Sequence, residues 1–241
     1  MRRLLVNFPL HAGAVLQLER SQAHYLYNVL RLREGQKIVV IGTDGIPFVA
    51  ELGPRSQRTC TVLTEAGELD REPHLKVRLY VPLLKGDKLE LAAQKAVELG
   101  VGEIVLYSAE RSIAKWNKNA DQKIARLQKI MLEAARQCRR QKAPELRGVL
   151  SFPEVLEEKA PGIFAWEQER SSSLNQCLQH FQSAAELALL TGPEGGLSPR
   201  EVNTLIDAGW RPVTLGARIL RAETAAITLL ACTMFAMGEM G

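Results

Sequence analysis

From residue 75 to the end of the chain, apolar runs of strand length alternate with longer stretches of helical period. This rhythm limits the fold more than any other feature. LKVRLYVPL (75–83) reads as a strand, and GDKLELAAQKAVELG (86–100) reads as a helix with Asp87 near its start and Gly100 at its end. EIVLYSA (103–109) is a strand again, and a long helix follows over 119–141. Its apolar residues Ile124, Leu127, Met131, Ala134 and Cys138 step by three and four. ELRGVL (145–150), GIFAW (162–166), ELALL (186–190) and RPVTL (211–215) are further strands. SPREVNTLIDAG (198–209) is a helix with Ser198 as N-cap, Pro199 in its first position and Glu201 completing a capping box. A largely apolar helix over 222–238 closes the chain. Alternation of this kind predicts an α/β domain over 75–241 on a mainly parallel sheet.

Residues 1–70 follow another pattern. KIVVIG (37–42) and PFVAEL (47–52) flank the hairpin-type turn TDG (43–45), and TCTVLTEA (59–66) is a third strand candidate. AHYLYNVLRL (23–32) has a short helical pattern with Leu26, Val29 and Leu30 on one face. This is a small β-rich unit. The polar, proline-containing stretch ELDREPHL (68–75) makes the boundary.

A chain of 241 residues with 46% hydrophobic and 24% charged residues has room for a substantial core in these two parts. No apolar run approaches the roughly 20 residues of a membrane helix. The N-terminus carries no clear signal peptide, so a cytoplasmic protein is expected. Cys60, Cys138, Cys177 and Cys232 are scattered, with no C-x-x-C pair and no histidine cluster, so no metal site is expected. The formal net charge of +4 decides little by itself. The basic residues cluster, most densely in RQCRRQK (136–142).

In open α/β sheets, ligands bind outside the carboxyl ends of the strands. Two loops predicted there stand out, TGPEGGL (191–197) and LGARILR (215–221). Leu197 and Ser198 follow the glycines of the first, so it lacks the lysine of a phosphate-binding loop, and it lacks the dinucleotide G-x-G-x-x-G spacing. Bare glycines still allow backbone N–H and C=O groups to approach a flat ligand closely. A nucleoside without phosphates suits such a loop, and a simple tight connection remains open for a single glycine turn.

LLTGPEGGLS and LGARILRAETA resemble the two C-terminal motifs of the SPOUT RNA methyltransferases, and more narrowly those of the ribosomal RNA small subunit methyltransferase E family. AHYLYNVLR with Gly35, QKAVELGV (94–101), ERSIAK (110–115) and APEL (143–146) resemble further segments of that family, so the similarity spans nearly the whole chain. It implies a knotted SPOUT methyltransferase domain of α/β class over 75–241, containing a deep trefoil knot. It also implies a small N-terminal PUA-like RNA-binding β-barrel over 1–70 and a homodimer. The implied cofactor is S-adenosylmethionine. The implied reaction is methylation of uridine N3 in small-subunit (16S) ribosomal RNA. Methylation at another position, such as a ribose 2′-hydroxyl, and a non-catalytic RNA-binding role in ribosome assembly are the alternatives. In two places the chain departs from the family pattern: Arg136 stands where a glutamate is expected, and Arg139 where a glycine is expected.

Under this resemblance, Gly192, Pro193, Glu194, Gly195, Gly196, Leu215, Gly216, Ile219 and Leu220 line the adenosine pocket, with Leu190 beneath it. Arg221 is the candidate catalytic residue, placed to stabilise negative charge on the uracil ring. Glu223 orients Arg221, serves as a base, or simply favours the dipole of the last helix. Glu167 and Glu169 follow a strand that could approach the cofactor, and Trp116 and Trp166 lie near the same loops with core packing as the default. Arg31, Arg33, Arg111, Lys115, Arg139 and Arg140 are candidate RNA contacts, chiefly to phosphates.

Overall fold

The computed structural model describes residues 2–65, 72–116 and 119–240. Residues 68–71 of the polar boundary stretch lie outside the described residues, as does residue 66 at the end of the third strand candidate. The chain divides into two compact units, residues 1–72 with 135–143 and residues 73–134 with 144–241.

The small unit carries β1 (Arg3–Leu5), β2 (Val15–Gln17), α1 (Arg20–His24), β3 (Lys37–Ile41), β4 (Pro47–Leu52) and β5 (Thr59–Glu65). Its five strands form one sheet in the order β1-β3-β4-β5-β2. β1 runs parallel to β3 and the other pairs are antiparallel. Leu4, Ile38, Val40, Ala50 and Cys60 are fully buried in its core. The sequence does not announce β1 and β2, because three-residue strands are too short to show a period.

The helical pattern over 23–32 resolves differently from its expectation. α1 ends at His24, and a π-helical turn runs from Tyr25 to Val29. The Leu30 N–H donates to the Tyr25 carbonyl at 2.9 Å, which widens the turn by one residue. The extra residue rotates Tyr27 into the core and leaves Val29 exposed.

The large unit carries β6 (Lys76–Pro82), α2 (Lys88–Glu98), β7 (Glu103–Ser108), α3 (Ala120–Cys138) and β8 (Glu145–Ser151). It continues with α4 (Phe152–Val155), β9 (Gly162–Ala165), α5 (Leu174–Leu178) and β10 (Glu186–Thr191). α6 (Pro199–Asp207), β11 (Arg211–Val213) and α7 (Ala222–Ala236) complete it. The last turn of α3 belongs with the small unit. All six strands run parallel, in the order β11-β9-β10-β6-β7-β8. β6 and β10 pair at the centre, and residues 187–190 of β10 are wholly buried, as a strand covered on both faces requires.

α3 ends where Arg139 adopts a left-handed conformation with φ of 65°. The Arg140 N–H then closes back on the Ala135 carbonyl at 3.0 Å, a common helix stop that favours glycine. A glycine expected at this position has its physical reason here, and Arg139 carries the strain of a side chain in that conformation.

The amino end of the large sheet is closed by ions. Arg78 on β6 pairs with Glu158 and, at 2.6 Å, with Glu103 on β7. The Tyr80 hydroxyl donates to Glu158 at 2.6 Å. Burial alone would raise the Glu158 carboxyl, but Arg78, the Ala160 N–H and Tyr80 outweigh it and bring it down to about 2.

Candidate active site

The order of the central strands brings β9, β10 and β6 side by side, so the segments after their carboxyl ends converge. A cavity of about 390 Å³ lies there, within the usual range for a small-ligand site. The loop after β10 contributes Gly192, Pro193, Glu194 and Gly196, and the loop after β11 contributes Leu215, Gly216, Ile219, Leu220 and Arg221. Trp166, Glu167 and Arg170 enter from the segment after β9, and Lys88 from the start of α2. Leu190 is buried in the core at the end of β10, and Gly195 stands outside the lining.

The first loop is fastened on every side. The Gly196 N–H donates to the Pro193 carbonyl at 2.9 Å and closes a tight turn. Gly196 has φ of +70°, and a Cβ there would come within 2.7 Å of Glu167 Oε1, so only glycine fits without displacement. A Cβ on Gly195 would press on Arg111 at 3.1 Å, although that glycine does not line the cavity. The Tyr107 hydroxyl donates to the Thr191 carbonyl at 2.7 Å. Burial, helped by the charge of Glu201, pushes that hydroxyl well above its ordinary pKa and keeps it a neutral donor. Ser198 and Glu201 form the expected capping box on α6. Glu201 also accepts the Glu110 N–H at 2.8 Å, while the Ser198 hydroxyl donates to the Glu110 carboxylate at 2.7 Å.

Glu194 shows what became of the missing lysine. Lys88 donates to its Oε1 at 3.1 Å, and so does the Lys85 N–H at 3.3 Å. Burial would raise the Glu194 carboxyl, but backbone and Lys88 contacts hold it below the usual carboxylate range. A lysine does border this loop, brought by a different strand, and its charge is already matched by an acid. Among the described residues nothing partners the buried Thr191 Oγ1 or Glu194 Oε2. A buried polar atom without a partner costs roughly 1–3 kcal/mol, so each of these calls for an ordered water or a ligand group as its partner.

The second loop is looser. Residues 216–219 are exposed, and Ile219 is 83% accessible. Its hydrogen bonds include Thr214 Oγ1 accepting from the Gly216 N–H at 3.2 Å. Arg221 is exposed at the N-cap of α7 and faces the cavity. Glu223 does not line the cavity; it is buried in the first turn of α7, and its Oε2 has no partner among the described residues. Glu169 turns away and accepts from Ser171 and Ser172.

A family profile described as an RNA methyltransferase domain matches residues 71–234, and one described as an RNA methyltransferase PUA domain matches residues 18–63. The ribosomal RNA small subunit methyltransferase E of a Synechocystis strain is 34% identical, over 90% of this chain and 72% of its own length. The chain belongs to the ribosomal RNA small subunit methyltransferase E family. The Bacillus subtilis protein of that name is 33% identical, over 89% of this chain and 88% of its own. A Neisseria gonorrhoeae methyltransferase E, solved bound to S-adenosyl methionine, superposes with a TM-score of 0.88 at 27% identity. It covers 98% of this chain and 97% of its own.

In this chain the six basic candidates divide between the units. Arg31, Arg33 and Arg139 are exposed in the small unit, and Arg111 and Lys115 in the large one. Arg111 also reaches the Gly195 carbonyl at 3.4 Å, so it braces the first loop. Arg140 departs from its expected role as an RNA contact. It is 6% exposed, and its guanidinium holds Glu72 at 2.7 Å, so its charge is matched inside the unit. Lys88 and Arg170 were not legible as site residues, because only the non-sequential strand order brings them to the cavity. Among the described residues no acidic, histidine and cysteine cluster could hold a metal, and no helix is long and apolar enough to cross a membrane.

Proposed function

We propose that this chain uses S-adenosylmethionine to methylate N3 of a uridine in small-subunit ribosomal RNA. The observation that carries this reading is the cavity itself: two close-approach loops, a likeness to the cofactor-bound Neisseria gonorrhoeae structure, and two buried polar atoms beside it without partners among the described residues. The residues present fit the cofactor. Gly192, Gly196, Leu215, Gly216, Ile219 and Leu220 offer backbone groups and an apolar surface for adenosine, and Thr191 and Glu194 beside them each keep one oxygen with unused hydrogen-bonding capacity among the described residues. The bound cofactor supplies an electrophilic methyl group on a sulfonium.

The chain must position a uracil in line with that methyl group and stabilise the ring as N3 loses its proton to solvent water. Arg221 faces the cavity from an exposed helix end, where a guanidinium can meet a uracil carbonyl as charge develops on it. Glu223, buried behind the cavity wall, acts on the position of α7 in this reading. The small unit, whose profile match is to a PUA domain, supplies RNA contacts through Arg31, Arg33 and Arg139, and Lys115 adds one from the large unit.

The trefoil knot, the homodimer and a cytoplasmic location belong to the same reading. α7 supports the dimer: it is apolar all round, yet Phe235 is 70% exposed and Cys232 is open beside it. Purified protein, small-subunit ribosomal RNA and methyl-labelled cofactor test the reaction, with nucleoside mass spectrometry of the product. We expect 3-methyluridine. A ribose-methylated nucleoside would move the reaction to another position, and cofactor binding without methyl transfer would favour an assembly factor.

A further inference from the structure

A second cavity of about 430 Å³ lies in the large unit, on the other side of the turn that leads into α2. Lys88 of that turn faces the first cavity, while Lys85, Gly86 and Asp87 face the second. The Lys85 N–H is bound to Glu194 of the cofactor loop, so one short segment walls both sites. The floor is apolar, made by the buried Leu84, Leu89 and Leu127, and the half-buried Trp116 stands at its side. The Lys123 ammonium lies 5.3 Å from the centre of the indole ring.

The charges facing this space are unequal. Lys85, Lys115, Lys123 and Arg126 oppose Asp87 and Glu90. Arg126 and Glu90 cancel in a two-pronged pair at 2.8 and 2.9 Å. Three lysines then face a single carboxylate, and among the described residues no hydrogen bond or ion pair engages their ammonium groups. An aromatic face over an apolar floor, ringed by lysines that no hydrogen bond or ion pair holds among the described residues, suits the base and phosphate of an unstacked nucleotide.

We propose that this cavity receives a nucleotide of the RNA substrate that neighbours the methylated one. Its base stacks on Trp116 in place of the Lys123 ammonium, and Lys123 and Lys115 take the adjoining phosphates. The assignment rests on the reading of the chain as an RNA methyltransferase. The shared wall makes the placement specific, because a strand entering the first cavity passes the 85–88 turn to reach the second.

The test measures binding of a short single-stranded oligoribonucleotide containing uridine to the full-length protein, with cofactor affinity followed in parallel. Trp116→Ala should weaken RNA binding about tenfold, while Trp116→Phe keeps most of it. Lys123→Gln should make the logarithmic salt dependence shallower by about 0.7, since one phosphate is no longer neutralised. Cofactor affinity should stay unchanged in all three, which also shows that the variants fold. RNA affinity equal to wild type in both Trp116→Ala and a Lys115→Gln/Lys123→Gln double variant would overturn the site. So would an equal weakening in Trp116→Phe and Trp116→Ala. Wild-type protein that binds RNA through Trp116 but transfers no methyl group would instead overturn the proposed function and leave this site standing.

Discussion

The two ends of the large sheet are built from the same strands and reach opposite electrostatic outcomes. At the amino end, Arg78 is held by Glu103 and Glu158, and Glu158 takes a further hydrogen bond from Tyr80. At the carboxyl end, Thr191 Oγ1 and Glu194 Oε2 are buried without partners among the described residues, beside a cavity. A satisfied buried cluster rigidifies a fold, whereas unsatisfied groups cost stability that a ligand can restore. Charge density alone therefore does not mark a site. The paired cluster at the amino end is structural, and the proposed chemistry belongs to the other end.

The most severe test of that contrast is Arg221→Ala. We expect methyl transfer to fall by about 100- to 1,000-fold with cofactor affinity little changed, as loss of a transition-state donor predicts. Steady-state kinetics and calorimetry separate the two effects. Gly196→Val comes next. Its φ of +70° and the 2.7 Å approach of Glu167 leave no room for a side chain, so cofactor binding should weaken by about 100-fold or more. Wild-type affinity in that variant would mean that the glycine loop does not hold the ligand.

The amino end should respond in the reverse way. Glu158→Gln should lower unfolding free energy by about 1–3 kcal/mol in urea titrations and leave cofactor affinity intact. The sign with pH follows from the direction of the shift. The folded carboxyl is lowered from 4.5 to about 2, so its stabilisation is full above 4.5 and fades as pH falls toward 2. The variant should therefore show a flatter loss of stability in acid. A smaller effect is expected in the small unit. Arg139→Gly should raise stability by about 1 kcal/mol, because it removes a left-handed non-glycine residue and leaves its carbonyl free to accept from Arg3.

Much of the large unit was legible because its signals are local. β10 is a continuous apolar run, and Ser198, Pro199 and Glu201 mark the start of α6 from four residues alone. The glycines of the first loop were legible for the same reason, since only a backbone constraint explains them. What could not be read depends on residues distant in sequence. Lys88 meets Glu194 because β10 is inserted between β9 and β6, an order no local pattern encodes. Arg140 looked like a surface charge because its partner, Glu72, lies 68 residues away. The π-helical turn at Tyr25–Val29 keeps the spacing of an ordinary helix in the sequence, so its rotation of Tyr27 inward and Val29 outward appears only in space.

If the carboxyl end of this sheet methylates a uridine of the small ribosomal subunit at N3, the modified nucleoside must depend on the gene. Nucleoside mass spectrometry of that subunit's RNA, from cells with and without the gene, reads this dependence. 3-Methyluridine should disappear on deletion and return with the wild-type gene but not with Arg221→Ala. Undiminished 3-methyluridine in the deletion strain would contradict the assignment.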